Sequence, residues 1–111
     1  MKPQKLIILI GILFASIYAN ANLETERKDS SKTAHQFCLS NEDCIGVVSM
    51  ELDSLYHQGL NEPRNTSIGT LINRKEKFFV DYCRHSKNKD KLCETYKNQL
   101  MLKYITGLLD R

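Results

Sequence analysis

The sequence predicts an all-α fold, a small antiparallel bundle of three or four helices stapled by two disulfides. Apolar residues recur at spacings of three and four over three segments, turn-forming residues separate these segments, and four cysteines follow a leader-like start. The short runs of branched and aromatic residues all lie inside helical patterns, so strand signals are weak. Three amphipathic helices with short links favour an up-down-up arrangement.

The first 21 residues have the pattern of a cleavable export signal. Lys2 and Lys5 form a positive head, residues 6–17 form an uncharged run of 12 mainly apolar residues, and Ala19 and Ala21 mark a cleavage site. A membrane-spanning helix needs about 20 apolar residues, so this run is too short for a permanent anchor. The pattern predicts a periplasmic or secreted protein that begins at Asn22 and has no stable membrane anchor after cleavage.

The remaining chain is predicted to consist of a tail and one domain. Residues 22–36 are largely polar and have no periodicity, which predicts a flexible N-terminal tail. Residues 37–111 are predicted to form the helical, disulfide-bonded domain, whose modest core gives disulfides a structural use. A short fourth helix or turn near residues 35–38 is the alternative to a bundle of three.

Each of the three main helices has a predicted range and an apolar inner face. The first covers residues 41–58, with Ser40 as N-cap and Gly59 as its stop. The second covers residues 66–85, with Lys75 as the one polar break in its stripe. The third covers residues 90–109 and is capped by Asp90. The predicted inner faces consist of Cys44, Ile45, Val48, Leu52, Leu55 and Tyr56, then Ile68, Leu71, Ile72, Phe78, Phe79, Tyr82 and Cys83, then Leu92, Cys93, Tyr96, Leu100, Tyr104 and Leu108.

The four cysteines, Cys38, Cys44, Cys83 and Cys93, are even in number and follow an export signal, which predicts two disulfides. An up-down-up bundle gathers all four at one end. A hairpin folded near residue 63 favours a nested pairing, Cys44–Cys83 and Cys38–Cys93, over the local pairing, Cys38–Cys44 and Cys83–Cys93, but four cysteines leave the connectivity open. A metal site built on Cys83, His85 and Cys93 is disfavoured, because the close cysteine pairs of zinc modules are missing.

The sequence contains no motif of a known catalytic or cofactor site. The three histidines are far apart, and H-E-x-x-H, G-x-S-x-G and glycine-rich phosphate loops are all missing from the sequence. Neighbouring carboxylates on one short helix do not flank a sugar as those of a glycosidase do. We therefore predict a non-enzymatic protein without metal or cofactor. Asn65-Thr66-Ser67 is a formal glycosylation sequon.

Charge is nearly balanced overall but unevenly distributed. Lys2 and Lys5 contribute two of the three net positive charges, so the chain without its leader carries +1 and is a poor candidate for nucleic-acid binding. Residues 22–66 carry a net charge of −4 and residues 74–97 a net charge of +4. This asymmetry either draws the helices together or presents a positive surface to an acidic protein partner. The candidate partner-binding cluster consists of Arg84, Lys87, Lys89 and Lys91.

These features lead to a functional hypothesis by elimination. The leading hypothesis is an exported, non-enzymatic binding protein of the bacterial cell envelope, with an inhibitor or immunity protein as its specific form and a partner outside the cytoplasm. A secreted effector or toxin-like peptide is the alternative, and a structural or assembly factor of the envelope is a further one. The chain shares a leader, helices and paired cysteines with periplasmic immunity proteins, but no motif.

Overall fold

The computed structural model describes residues 23–84 and 91–111. Regular structure in these residues is entirely helical: α1 occupies residues 23–38, α2 Glu42–Leu60, α3 Ile68–Phe79 and α4 Lys91–Asp110. The predicted all-α bundle with two disulfides is confirmed. The predicted leader and residues 85–90 lie outside the described residues, so the export signal and its cleavage site stay predictions.

Helix α2 begins one residue later than predicted and passes through its predicted stop. The side chain of Asn41, not that of Ser40, accepts the Cys44 amide at 3.0 Å and caps the helix. The helix continues through Gly59 and ends at Leu60, so the reading of Gly59 as a helix stop is wrong. This glycine serves a different purpose, the close approach of α4.

Helix α3 is shorter than predicted. The hydroxyl of Ser67 accepts the Thr70 amide at 3.2 Å and starts the helix, which ends at Phe79 rather than at residue 85. Residues 80–84 form turns, in which the Tyr82 amide donates to the Phe79 carbonyl at 3.0 Å. The chain leaves the α3 axis here because Cys83 is bonded to the start of α4.

Among α2, α3 and α4, the most extensive contact lies between α2 and α4, and α3 packs chiefly on α4. The buried core consists of Leu52, Leu55, Leu71, Phe79, Leu100, Tyr104 and Leu108. All seven belong to the predicted inner faces, and fully burying a side chain of this size contributes about 1.5–3 kcal/mol. Three other predicted inner residues are exposed instead, Phe78 at 76%, Leu92 at 60% and Tyr82 at 39%. Their predicted burial is wrong because α3 packs chiefly on one helix, because Tyr82 lies in the turns that follow α3, and because α4 begins beyond the core.

Two glycines bring the backbones of α2 and α4 into direct contact. A Cβ atom on Gly59 would lie 2.8 Å from the Leu108 nitrogen and closer still to the Tyr104 carbonyl oxygen. A Cβ atom on Gly107 would lie 2.9 Å from the Leu60 nitrogen. No side chain fits at either glycine, so this crossing depends on both residues.

The prediction of a flexible tail over residues 22–36 is wrong, because helix α1 occupies most of this segment. Its residues are helical from 23 to 38, and its buried face consists of Ser30, Ala34 and Cys38, spaced four apart. Helix α4 holds it through Lys103, whose side chain is only 6% exposed. The Lys103 ammonium lies 2.8 Å from Glu26 Oε2 and 2.6 Å from Asp29 Oδ2, and it also donates to the Glu26 carbonyl at 3.2 Å. We call these three residues the Lys103 clasp.

The disulfides are local, Cys38–Cys44 and Cys83–Cys93, with Cα–Cα distances of 5.6 and 5.9 Å. The favoured nested pairing is therefore wrong. Leu39 has a φ of 57° and reverses the chain between α1 and α2, which returns Cys38 to the first turn of α2. Because α3 packs on α4 rather than lying along α2, its end meets the start of α4 instead of Cys44.

Both bridges nevertheless lie toward one end of the bundle. The rings of Phe37, next to Cys38, and of Tyr82, next to Cys83, lie 5.3 and 6.3 Å from the ring of Tyr96. The gathering of the cysteines thus follows from the up-down-up arrangement, although their pairing does not.

Candidate protein-binding surface

The predicted basic cluster is described only in part. Arg84 is exposed, and its guanidinium lies 3.7 Å from the carboxylate of Asp81. Lys91 is exposed at the first residue of α4. Lys87 and Lys89 lie outside the described residues. The two described members flank the Cys83–Cys93 bridge, and the cluster as a binding site stays a prediction.

A second basic region lies on α3, and the sequence analysis did not single it out. Arg74, Lys75 and Lys77 follow one another within four positions, and within the described ranges none has a carboxylate at ion-pair distance. In the described ranges the acidic residues of α2 therefore form no ion pair with these three cations. Lys75 donates instead to a neutral amide, Gln58 Oε1, at 2.9 Å. This leaves three positive charges available on one helix.

A cleft of about 200 Å³ opens beside these cations, between α3, α4 and the loop after α2. We call it the α3 cleft; it is lined by Glu62, Leu71, Arg74, Lys75, Phe78 and Tyr104. Leu71 and Tyr104 are each 1% exposed and form an apolar floor. The exposed side chains of Arg74 and Phe78 stand at the rim. The cleft therefore combines a buried apolar floor with an edge that carries positive charge and an exposed aromatic ring.

Aromatic rings hold the Lys75 ammonium over the cleft. Its Nζ atom lies 4.7 Å from the ring centroid of Tyr104 and 5.5 Å from that of Phe78, both within cation–π range. Phe78 also makes an edge contact with Phe79, with 5.3 Å between the ring centroids. Phenylalanine and arginine are enriched at protein–protein interfaces, so Phe78 and Arg74 are the candidate contact residues of this surface.

The wall opposite α3 is fixed by contacts at the end of α4. The guanidinium of Arg111 donates to the carbonyl of Pro63 and, at 2.9 Å, to that of Thr66. The hydroxyl of Tyr56 donates to Asp110 Oδ2 at 2.7 Å. The Arg111 bonds hold the loop that carries Glu62 against the end of α4, and the Tyr56 bond joins that end to α2.

Tyr104 is a neutral group in the floor of the cleft. Burial raises its pKa, and the nearby carboxylate of Glu62 raises it further, while the cations Arg74 and Arg111 act in the opposite direction. Tyr104 therefore keeps its proton at neutral pH and offers a hydroxyl rather than a negative charge. The charged groups that line the cleft are Arg74 and Lys75 against the single carboxylate of Glu62.

The disulfide end carries a second aromatic group. The hydroxyl of Tyr82 donates to Glu51 Oε1 at 3.0 Å, and burial together with this bond raises the pKa of Tyr82 to about 12. Burial and the same carboxylate raise the pKa of Tyr96 as well. Both phenols stay protonated at neutral pH, so this group joins α2 to the disulfide end rather than supplying a base.

Two further properties of the described residues bear on function. In residues 23–84 and 91–111, no three histidine, cysteine, aspartate or glutamate side chains are arranged to hold a metal ion. None of the helices in this part of the chain is both long and apolar enough to cross a membrane.

Comparison with protein families gives one match. The model of the valyl-tRNA ligase modifier family matches residues 1–110, and the chain belongs to this family. The family description implies a protein-binding regulatory role with a protein partner. Neither the curated proteins nor the solved structures contain a match to this chain.

Proposed function

We propose that this chain is a non-catalytic regulator that binds a valyl-tRNA ligase and alters its activity. The observation that carries the proposal is the family match, which covers almost the entire chain. A protein ligand also suits the near-neutral charge of the domain, which is poorly suited to binding RNA by itself.

The surface of the bundle supports a binding role. The α3 cleft offers unpaired cations and an exposed aromatic ring on a framework held by two disulfides. Preformed surfaces of this kind bind with a small entropic cost, because few groups are ordered on association. The sequence motifs of nucleophilic and metal-dependent catalysis are missing from the chain.

Purified chain and purified valyl-tRNA ligase test the proposal directly. Sedimentation velocity should show a complex, and the rate of valine attachment to tRNA should change when the chain is added. Isoleucyl-tRNA ligase is the control, since it catalyses the same reaction on a related substrate and should neither bind nor respond. If no complex forms and valine attachment is unchanged, the proposal is wrong.

Stoichiometry separates a regulator from an enzyme that modifies the ligase. A binding regulator acts in proportion to the complex formed, so its effect should saturate near equimolar chain and reverse when the chain is removed. The intact mass of the ligase should stay the same. A lasting change of ligase mass or activity produced by a small fraction of an equivalent would show catalysis and overturn the non-catalytic role.

A second candidate function is an exported inhibitor or immunity protein. The leader pattern of residues 1–21 and the two disulfides favour it, because structural disulfides persist mainly outside the reducing cytosol. The two candidates differ in compartment, since a tRNA ligase works where ATP and tRNA are present.

Cell fractionation distinguishes the two candidates. Export predicts chain in the periplasm or medium, with Asn22 as its first residue by N-terminal sequencing. A chain recovered only from the cytosol, with Met1 retained and its cysteines reduced, would contradict export and leave the ligase as the accessible partner.

A further inference from the structure

We infer that the α3 cleft is a docking site for an acidic segment of a partner protein, one that carries a carboxylate next to an apolar or aromatic side chain. The identity of that partner as valyl-tRNA ligase rests on the proposed function, whereas the chemistry of the segment follows from the cleft itself.

The cations at the cleft indicate that the bound segment carries a carboxylate. Arg74 and Lys75 line it, Lys77 lies on the same helix, and within the described residues none of the three is neutralised by a carboxylate at 4.0 Å or less. An Arg guanidinium pairs with carboxylates through two parallel hydrogen bonds and is readily desolvated. An incoming carboxylate would find in Arg74 a donor that no internal acceptor occupies.

The floor and the exposed ring indicate that an apolar or aromatic side chain lies next to that carboxylate in the bound segment. Leu71 and Tyr104 give the cleft an apolar base, and Phe78 leaves 76% of its surface in contact with solvent at the edge. Covering that ring removes apolar area from water, at about 25 cal/mol per Å². A cleft of about 200 Å³ has room for a single side chain rather than for a helix.

A protein segment fits the cleft better than RNA does. Cations beside an aromatic ring are also used for single-stranded nucleic acid, where bases stack on the ring along a positive groove. Here the cleft of about 200 Å³ takes a single side chain, and its lining cations both lie on α3, so within the described residues it does not form a positive groove that follows a backbone of several nucleotides. The family description points to a protein partner in addition.

Two single substitutions test the site on the full chain with both disulfides formed. Arg74→Glu reverses the charge, and Phe78→Ala removes the exposed ring without opening the core. Each should weaken binding to valyl-tRNA ligase by about tenfold, measured by isothermal titration calorimetry. Arg74→Glu should also reduce the salt dependence of binding, because a screened charge pair is lost.

Matched control substitutions lie elsewhere on the surface. Arg27→Glu makes the same charge change on an exposed residue of α1. Met50→Ala removes an apolar side chain of α2 that is 75% exposed, almost as much as Phe78. Both should leave binding unchanged. Thermal unfolding of all four variants, followed by circular dichroism, should resemble that of the unmodified chain.

A peptide titration tests the cleft without the ligase. The probe is acetyl-Glu-Phe-Asp-amide, and the control peptide has lysine in place of both acidic residues. In amide NMR spectra the acidic probe should shift signals of residues 71–78 and of Tyr104, and the control peptide should not.

The two experiments separate failure of the site from failure of the partner. If the ligase binds the unmodified chain, Arg74→Glu and Phe78→Ala with equal affinity, the docking site is wrong and the proposed function stands. If the ligase does not bind but the acidic peptide shifts the α3 signals, the site stands and the partner is wrong. A cleft that binds a single-stranded RNA oligonucleotide in preference to the peptide would overturn the protein occupant.

Discussion

Helix α4 packs on α2 through apolar side chains and two glycines, whereas it holds α1 through a buried ammonium group and two carboxylates. The α2–α4 interface contains Leu52, Leu100 and Tyr104, each 1% exposed or less. The α1–α4 interface includes the Lys103 clasp and the edge contact of Phe37 with Tyr96, and Cys38–Cys44 attaches α1 covalently to α2. The same small bundle therefore contains two kinds of packing: α2 and α4 are held together by the hydrophobic effect, whereas α1 is held by charge and a disulfide.

The largest effect is expected at the glycine crossing of α2 and α4. In Gly107→Ala, the new methyl group meets the Leu60 nitrogen at 2.9 Å and comes closer still to the Tyr56 carbonyl oxygen. The backbones have to separate, so the free energy of unfolding should fall by about 3 kcal/mol or more. Urea denaturation followed by circular dichroism measures this change.

Gly46→Ala is the control for that substitution. A Cβ atom at position 46 meets no atom within 4 Å, and the residue lies inside α2. Alanine should therefore stabilise the chain by about 0.5–1 kcal/mol through its better helix propensity. Equal effects at positions 46 and 107 would show that α2 and α4 do not cross closely.

The next effect concerns the covalent attachment of α1. Replacing both Cys38 and Cys44 with serine opens a short covalent loop, since the two cysteines are 6 residues apart in the sequence. The free energy of unfolding should fall by about 2 kcal/mol. Hydrogen exchange in residues 23–38 should become much faster, because α1 then keeps only noncovalent contacts with the bundle, the Lys103 clasp among them. Exchange in the core of α2 and α4 should change little.

The other disulfide supplies the comparison. Replacing Cys83 and Cys93 with serine should loosen the start of α4 and the end of α3 and leave α1 protected. If both double variants accelerate exchange of α1 equally, the two bridges do not have separate roles.

A smaller effect is expected at the Lys103 clasp. Lys103→Met removes the ammonium group, but the side chain of Asp29 is 58% exposed and its charge can be hydrated instead of being stranded. The free energy of unfolding should fall by about 1–2 kcal/mol, with the fastest exchange again in α1.

Lys97→Met provides a matched loss of charge on α4. Lys97 pairs with Glu94 of the same helix at 2.7 Å, so its loss should cost about 0.5 kcal/mol or less and leave α1 protected. If Lys103→Met and Lys97→Met have the same effect, the clasp does not hold α1.

The last expected effect concerns the ionisation of the buried tyrosines, and it appears only at alkaline pH. Burial raises the pKa of Tyr56, Tyr82, Tyr96 and Tyr104, and that of Tyr82 reaches about 12 against an ordinary value of 10.0. The folded chain then retains protons that the unfolded chain loses, so this stabilisation is complete below pH 10 and is lost as the pH rises toward 12. Ultraviolet difference titration should show late tyrosine ionisation together with a falling urea midpoint. Four tyrosines that ionise near their ordinary pKa would contradict the buried arrangement.

The apolar faces of α2 and α4 were predictable from the sequence, because the buried residues of a helix recur with the helical period. The stripe through Leu52 and Leu55 and that through Leu100, Tyr104 and Leu108 define the faces that pack together in the structure. The role of Gly59 was not predictable in the same way. A glycine near a helix end resembles a stop, and only the position of a second helix shows that it is a contact point.

Helix α1 was missed because its buried residues are small or polar. Ser30, Ala34 and Cys38 recur every four positions, which was the available signal, but none carries enough apolar surface to stand out. The disulfide pairing depended on the turn at Leu39 and on the helix that α3 contacts, neither of which spacing reveals. The α3 cleft was missed because the apolar pattern predicts burial of Phe78 and treats Lys75 only as a polar break in the same stripe.

The most direct test of the central claim is hydrogen exchange of the oxidised chain, measured with and without valyl-tRNA ligase. A regulator that docks through the α3 cleft should gain protection in residues 68–79, with no gain in α1. Unchanged exchange throughout the chain at saturating ligase would contradict binding itself, and protection confined to α1 would contradict the α3 cleft as the binding surface.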